Sequence, residues 1–174
     1  MRGGHANSGH GRVVALCGGV GGAKLALGLT RLVAPERLSI VVNVGDDFRH
    51  FGLHVSPDID TVLYTLSSRA NLETGWGRAG ESWRFIAAVE ELGGETWFSL
   101  GDTDLAIHAV RTAALARGET LTAVTRALSH ALGIEAAILP ASDQPVETVV
   151  ETEVGRLSFQ RYFVEHRCAP AVRA

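Results

Sequence analysis

Four carboxylates stand in two close pairs, Asp46-Asp47 and Asp58 with Asp60, in the stretch that follows an apolar run containing Asn43. Acids placed where a parallel strand gives way to a loop or helix lie where open α/β folds bind ligands, and carboxylates beside phosphates hold Mg²⁺ that bridges to substrate oxygens. The acidic loop Gly101-Asp102-Thr103-Asp104 repeats the arrangement, with His108 one helical turn after Asp104 and Arg111 three residues further. Ser142-Asp143 follows a fourth apolar run, and Trp76 between Gly75 and Gly77 is a candidate wall for an aromatic ligand. Each has a purely structural alternative. Asp58 and Asp60 suit the first turn of a helix, Asp46 suits a turn, His108 a hydrogen-bonded core position, Arg111 a solvated helix face and Trp76 a loop anchor.

The glycine-rich segment Gly18-Gly19-Val20-Gly21-Gly22 is the other candidate site. Glycines let backbone N–H groups approach phosphate oxygens, and a following helix N-terminus adds a favourable dipole, so Gly19, Gly21 and Gly22 are candidate substrate-binding positions. A Walker A loop would need Gly-Lys-Ser/Thr, whereas Lys24 lies between Ala23 and Leu25; a dinucleotide fingerprint would want a small residue where Lys24 stands. Asn43, rather than an acid, sits near the end of the second apolar run, which argues against a nicotinamide cofactor. His50 and His54 have the i,i+4 spacing of a zinc pair, but Gly52 intervenes and no third ligand follows, so zinc is not expected.

The elements that must carry these residues alternate. Strands are expected over residues 12–17, 38–44, 96–100 and 136–139, and helices over 23–32, 56–65, 81–92, 104–117 and 121–132. Residues 147–153 and 156–165 read as a β-hairpin about Val154-Gly155. The near-continuous apolar run at 38–44 is that of a strand covered on both faces. The fold class is therefore α/β, a Rossmann-like three-layer fold with a mostly parallel sheet and an appended hairpin. Residues 1–11 read as a flexible leader and 12–174 as one domain, consistent with 174 residues.

Composition narrows the function. At 46% hydrophobic and 20% charged residues, with no apolar stretch of about 20 residues, no membrane span is expected, and the polar leader lacks a signal core, so a cytoplasmic location is expected. A net charge of −3 without a basic run gives no footprint for nucleic acid. The two cysteines, Cys17 and Cys168, form no CxxC pair.

Taken in order, GGVGGAKLALGL, VVNVGDDFRHFGLHVSPDIDTVLYTL, GWG, WFSLGDTDLAIHAVRT, LPASD and FQRYFV resemble the 2-phospho-L-lactate transferase family over residues 13 to about 167. The resemblance implies transfer of a phospholactyl or phosphoenolpyruvyl-type group from a guanosine-diphosphate conjugate to the hydroxyl of the deazaflavin Fo, with release of GMP, in coenzyme F420 biosynthesis. It implies Mg²⁺ as cofactor. By the same analogy Gly19, Gly21 and Gly22 approach the nucleotide, and Asp47 and Asp60 position the Mg²⁺ or the Fo hydroxyl, with Asp46 and Asp58 as alternates. Asn43, Asp102, Asp104, His108, Ser142 and Asp143 line the pocket, and Trp76 stacks on the deazaflavin. Asp60→Asn is then expected to impair transfer more than folding. Family members continue well past FQRYFV, so the chain is expected to hold the N-terminal part of an incomplete fold, working as a homodimer or with a complementing C-terminal chain. A non-catalytic regulator similar to the gluconeogenesis-factor proteins, or an inactive fragment, are the alternatives.

Overall fold

The computed structural model describes residues 11–173, so the expected leader lies outside it except for Gly11. β1 (Val13–Cys17) leads through Gly18 into α1 (Gly19–Thr30), and β2 (Leu38–Val42) returns beside β1. The glycines do not form a free loop before the helix, as expected, but make its first turns. Gly18 is the extended N-cap, and Gly19 enters the helix at φ +60°, in the left-handed region that favours glycine. Gly22 lies over the strand end: a Cβ there would stand 3.0 Å from the Cys17 Cα and 3.3 Å from its carbonyl carbon.

After β2 the chain forms a short antiparallel hairpin that the sequence reading did not anticipate, β3 (Phe48–His50) paired with β4 (Leu53–Val55). Phe51 and Gly52 turn it with positive φ. α2 (Pro57–Leu66) starts where expected, with Pro57 at its first position and Asp58 and Asp60 in its first turn. A loop with Ala70 bridged to Arg78 carries Trp76 and precedes α3 (Arg84–Glu91). α3 begins three residues later than expected, because Glu81 and Ser82 face the next loop: the Glu81 carboxylate accepts from the Thr103 amide at 2.7 Å, and the Ser82 hydroxyl donates to Asp102 at 2.6 Å.

Residues 96–100, expected as a strand, make no sheet pairing. Trp97, Phe98 and Leu100 instead pack with Phe48, Val55 and Leu105 into a second apolar cluster, which accounts for their hydrophobic pattern without a ladder. α4 (Asp102–Ala116) and α5 (Leu121–Ala131) follow, then β5 (Ala137–Pro140), which pairs in parallel with β2. The sheet order is β1-β2-β5, all parallel. β6 (Val149–Thr152) and β7 (Gly155–Ser158) form the appended antiparallel hairpin, shorter than expected because residues 161–165 coil into a wide helical turn.

The main core lies on one face of the sheet. Ala15, Cys17, Leu38, Ile40, Val42 and Ile138 meet Ala23 and Ala26 of α1, Ile59, Val62 and Leu63 of α2, and Val124 and Leu128 of α5. The opposite face differs from the two-sided burial expected of β2: Val14 and Leu16 are 61% and 79% exposed, and Val41 and Leu139 are half-buried. Among the described residues, no helix is long and apolar enough to cross a membrane.

The Gly22 contact yields a stability prediction. Gly22→Val should lower the free energy of urea unfolding by about 1–3 kcal/mol through overpacking against the Cys17 backbone. Gly21→Ala, whose added methyl meets nothing within 4 Å, should leave it unchanged or raise it slightly.

Candidate active site

The carboxyl ends of β1 and β2, the N-terminal turns of α1 and α2, and the β3–β4 hairpin converge on one edge of the molecule. Asp58 closes the glycine segment onto it. One carboxylate oxygen accepts from the Gly19 amide at 2.8 Å and the other from the Asn43 side-chain amide at 2.8 Å, while the Asn43 oxygen accepts from the Gly45 amide at 3.0 Å. Asp58 and Asn43 thus hold the ends of β1 and β2 to α2, and the Gly19 N–H is already engaged by a protein carboxylate.

Asp47 has a different environment. Its Oδ2 accepts from the Ser56 hydroxyl at 2.7 Å and lies 3.1 Å from His54 Nε2, whereas its Oδ1 is buried without a hydrogen-bond partner. An unpartnered carboxylate oxygen in a buried position is costly unless a cation or donor approaches it. Asp46 beside it is half-buried, and burial followed by the nearby Asp58 and Asp47 charges raises its carboxyl above the ordinary range, only partly offset by Asn43.

Asp60 is occupied otherwise than the sequence suggested. Both its oxygens accept from the guanidinium of Arg111, a side chain with no exposed surface, and Arg111 also donates to the His54 carbonyl at 3.3 Å. His108, 1% exposed, stands between Asp60 (3.6 Å) and Asp104 (3.4 Å), and the Tyr64 hydroxyl donates to Asp104. Burial alone would raise the Asp104 carboxyl, but His108, the Tyr64 hydrogen bond and Arg111 outweigh it and hold the group below its ordinary value. Burial, then the Asp60 and Asp104 charges, push the Tyr64 phenol far up, so it serves as a hydrogen-bond donor. The Asp104–His108 convergence read from the sequence is therefore real in space, as a buried network joining α2, β4 and α4.

The remaining candidates serve local order. Asp102 accepts from Ser82 and from the Arg84 and Phe85 amides at 3.2 and 3.0 Å, capping α3 from outside it, and these bonds hold its carboxyl below the usual range. Asp143 accepts from the Thr122 amide at 2.7 Å at the start of α5, and Ser142 closes a turn with Gln144. Trp76 is 61% exposed on the rim of a small recess with Arg78 and Trp83, away from Asp47.

A cavity of about 580 Å³ opens beside Asp47 and His54, walled by Phe48, Trp97, Leu121 and Arg161, with the Arg161 guanidinium 5.0 Å from the Trp97 ring centre. Sequence reasoning passed over Trp97, Ser56 and Tyr64, and weighed His54 only as half of a zinc pair that it set aside. The signal for Trp97 was hidden in a run that reads as a strand. The structure places His50 and His54 on opposite strands of the hairpin, and among the described residues no three His, Cys, Asp or Glu side chains are arranged to hold a metal ion.

The model of the family 2-phospho-L-lactate transferase CofD matches residues 13–174. The chain belongs to the CofD family. It is 43% identical over 164 residues to a phosphoenolpyruvate transferase of Kitasatospora aureofaciens, covering 91% of this chain and 51% of the relative. Against a 2-phospho-L-lactate transferase of Methanospirillum hungatei it is 39% identical over 152 residues, covering 87% and 51%. This CofD-family chain thus spans about half the length of the curated relatives it matches. Its fold is similar to that of a upf0052-family protein from Bacillus halodurans, with a TM-score of 0.51 at 16% identity, over 94% of this chain and 49% of that one.

Two predictions concern the buried network. Asp60→Asn should destabilise the fold by about 3–5 kcal/mol, because it strands a buried guanidinium, while a paired Asp60→Leu, Arg111→Leu chain should recover most of the loss; chemical denaturation of both variants beside the wild type checks this. The low Asp104 carboxyl contributes stability that is full above its unfolded value of about 3.9 and is lost as pH falls through the lower folded value. Asp104→Asn should therefore flatten the acid limb of a pH–stability curve below about pH 4.

Proposed function

We propose that this chain supplies the donor- and acceptor-binding edge of a transferase that moves a phospholactyl or phosphoenolpyruvyl-type group from a guanosine-diphosphate conjugate to the hydroxyl of the deazaflavin Fo. The observation that carries the reading is Asp47: a buried carboxylate with one oxygen fixed by Ser56 and His54 and the other unpartnered, on the wall of a cavity large enough for an aromatic acceptor. Family membership and relatives named as 2-phospho-L-lactate and phosphoenolpyruvate transferases support the reaction class.

In that reaction the acceptor hydroxyl oxygen bonds to the phosphorus that bears the three-carbon acid. The bond from that phosphorus to the oxygen of GMP breaks, and GMP leaves with the electron pair. Such chemistry needs positioning and charge stabilisation and no covalent nucleophile. Asp46, whose carboxyl is held above its ordinary range, is suited to take the hydroxyl proton. Phe48 and Trp97 offer apolar faces to a flat ring system, and Arg161 adds positive charge at the cavity wall. Asp58 and Asn43 keep the glycine turns shaped, leaving Gly21 and Gly22 as the candidate approach to the diphosphate.

The donor set fits Mg²⁺ in part. Mg²⁺ keeps several waters and takes one or two carboxylates plus substrate phosphate oxygens, a pattern that the free oxygen of Asp47 can meet as a single protein ligand, leaving Asp46 to take the proton. Asp60 fits poorly, since Arg111 takes both its oxygens. Bound there, the ion would neutralise charge on the diphosphate.

Titration calorimetry of GDP with and without Mg²⁺ tests this reading. The wild-type chain should bind GDP more tightly with the ion, and Asp47→Asn should lose about 10–100-fold of that enhancement while its cooperative unfolding is kept. An undiminished Mg²⁺ enhancement in Asp47→Asn would remove Asp47 from the role.

A further inference from the structure

Behind Phe48 and Trp97, two of the rings that wall the cavity, lies a buried titratable group with no part in the chemistry above. His50 is 5% exposed and is not among the residues that line the cavity. Its ring centre stands 5.1 Å from that of Trp97 and 5.9 Å from that of Phe98, at 65° and 73°, the edge-to-face contact in which a positive ring edge meets a negative face. Phe48 at 6.2 Å and Phe51 at 4.0 Å complete the ring cluster, and His50 Nε2 is buried within it without a hydrogen-bond partner. The turn directly after His50 is tight. Phe51 and Gly52 take φ of +50° and +74°, a conformation strained for phenylalanine, so backbone and neighbours together fix the imidazole.

Few charges face it. Glu95, in the loop before Trp97, favours a proton on the ring, whereas Arg161 of the wide helical turn and His108 of α4 oppose one. Arg49 and His54 pair on the other face of the hairpin. Burial is the largest influence, outweighs the Phe98 backbone and Glu95, and holds the imidazole below its ordinary value. Glu95 itself stays ionised near neutrality, because its hydrogen bond from the Trp97 indole at 3.0 Å, followed by the Arg161 charge, holds its carboxyl below the usual range.

We infer that His50 is a positioning residue: as the neutral imidazole it holds the Trp97 and Phe48 wall of the cavity in place, and taking up a proton releases that wall. A phenylalanine would fill the same space with no buried polar atom, so what the histidine adds is sensitivity to protons. An imidazolium here is a buried charge with an unpartnered N–H, relieved when the hairpin tip parts from residues 97–98 and water reaches the ring. Cation–π attraction to the same rings acts the other way, and the midpoint of the titration decides between them. With burial dominant, the support is full above the ordinary histidine value of about 6.5 and is lost as pH falls below it. What this does to an acceptor rests on the reading proposed above; the wall is a property of the chain alone, and its test uses no ligand, so the two fail separately.

The 174-residue chain is prepared with Trp76→Phe and Trp83→Phe, both on exposed side chains, which leaves Trp97 as its one indole. The His50 Cε1 proton is followed by NMR, and Trp97 by its emission, from about pH 8 to about pH 5. The expected result is an imidazole midpoint below about 6.5, a red shift of Trp97 emission with that same midpoint, and far-ultraviolet circular dichroism unchanged through it. His50→Phe should abolish the red shift, and so should His50→Gln, which also takes no proton and serves if the phenylalanine is not accommodated. The proposal is overturned by an imidazole that titrates at or above about 6.5, by Trp97 emission that stays constant or changes only together with the circular dichroism, or by a red shift that persists in a folded chain without His50.

Discussion

The ion pair between Arg111 and Asp60 is the constraint around which the candidate site is arranged. A guanidinium without exposed surface is tolerable only when its donors are taken, and here they reach Asp60 on α2 and the carbonyl of His54 on β4. One side chain of α4 therefore fixes the start of α2 relative to the β3–β4 hairpin. His54 and Ser56, at the junction of those two elements, are the groups that hold Asp47. The orientation of Asp47 is thus set two contacts away, by a residue that itself has no exposed surface.

The acids of this edge divide their work according to surroundings. Asp58 has both oxygens bound to the protein and acts as a clamp; Asp60 neutralises Arg111; Asp102 and Asp143 cap helices. Asp47 keeps one oxygen unpartnered, and Asp46 is left with like charges about it. Among the acids of this edge only these two carry an imbalance that a bound cation or a reacting hydroxyl would relieve, so a cluster that looks uniform in sequence is not uniform in its surroundings.

Much of this was legible in the residues. The strand–glycine–helix opening, the parallel strand before the paired acids, the Pro57 start of α2 and the final hairpin rest on strong local signals, and the order of the motifs carried the family. What failed depended on tertiary packing. Residues 96–100 alternate like a strand but serve a cluster around Phe48, and the β3–β4 turn uses Phe51 at positive φ, a conformation that composition does not announce. The partner of Asp60 lies 51 residues away on α4, so no spacing rule could separate a buried counter-ion from an open ligand. The bare sheet face was equally hidden, because an apolar strand reads the same whether its cover is present or not.

The central claim is that donor and acceptor meet at the Asp47 edge within this half of the fold. Trp97 on the cavity wall offers a direct report: its fluorescence, followed while Fo is titrated into the chain with GDP and Mg²⁺ present, should change saturably with one-to-one stoichiometry, and Asp47→Asn should weaken the response only when nucleotide and ion are present. A chain that unfolds cooperatively yet shows no saturable response, or one whose response is the same with Asp47 replaced and the full set of ligands added, would contradict the account.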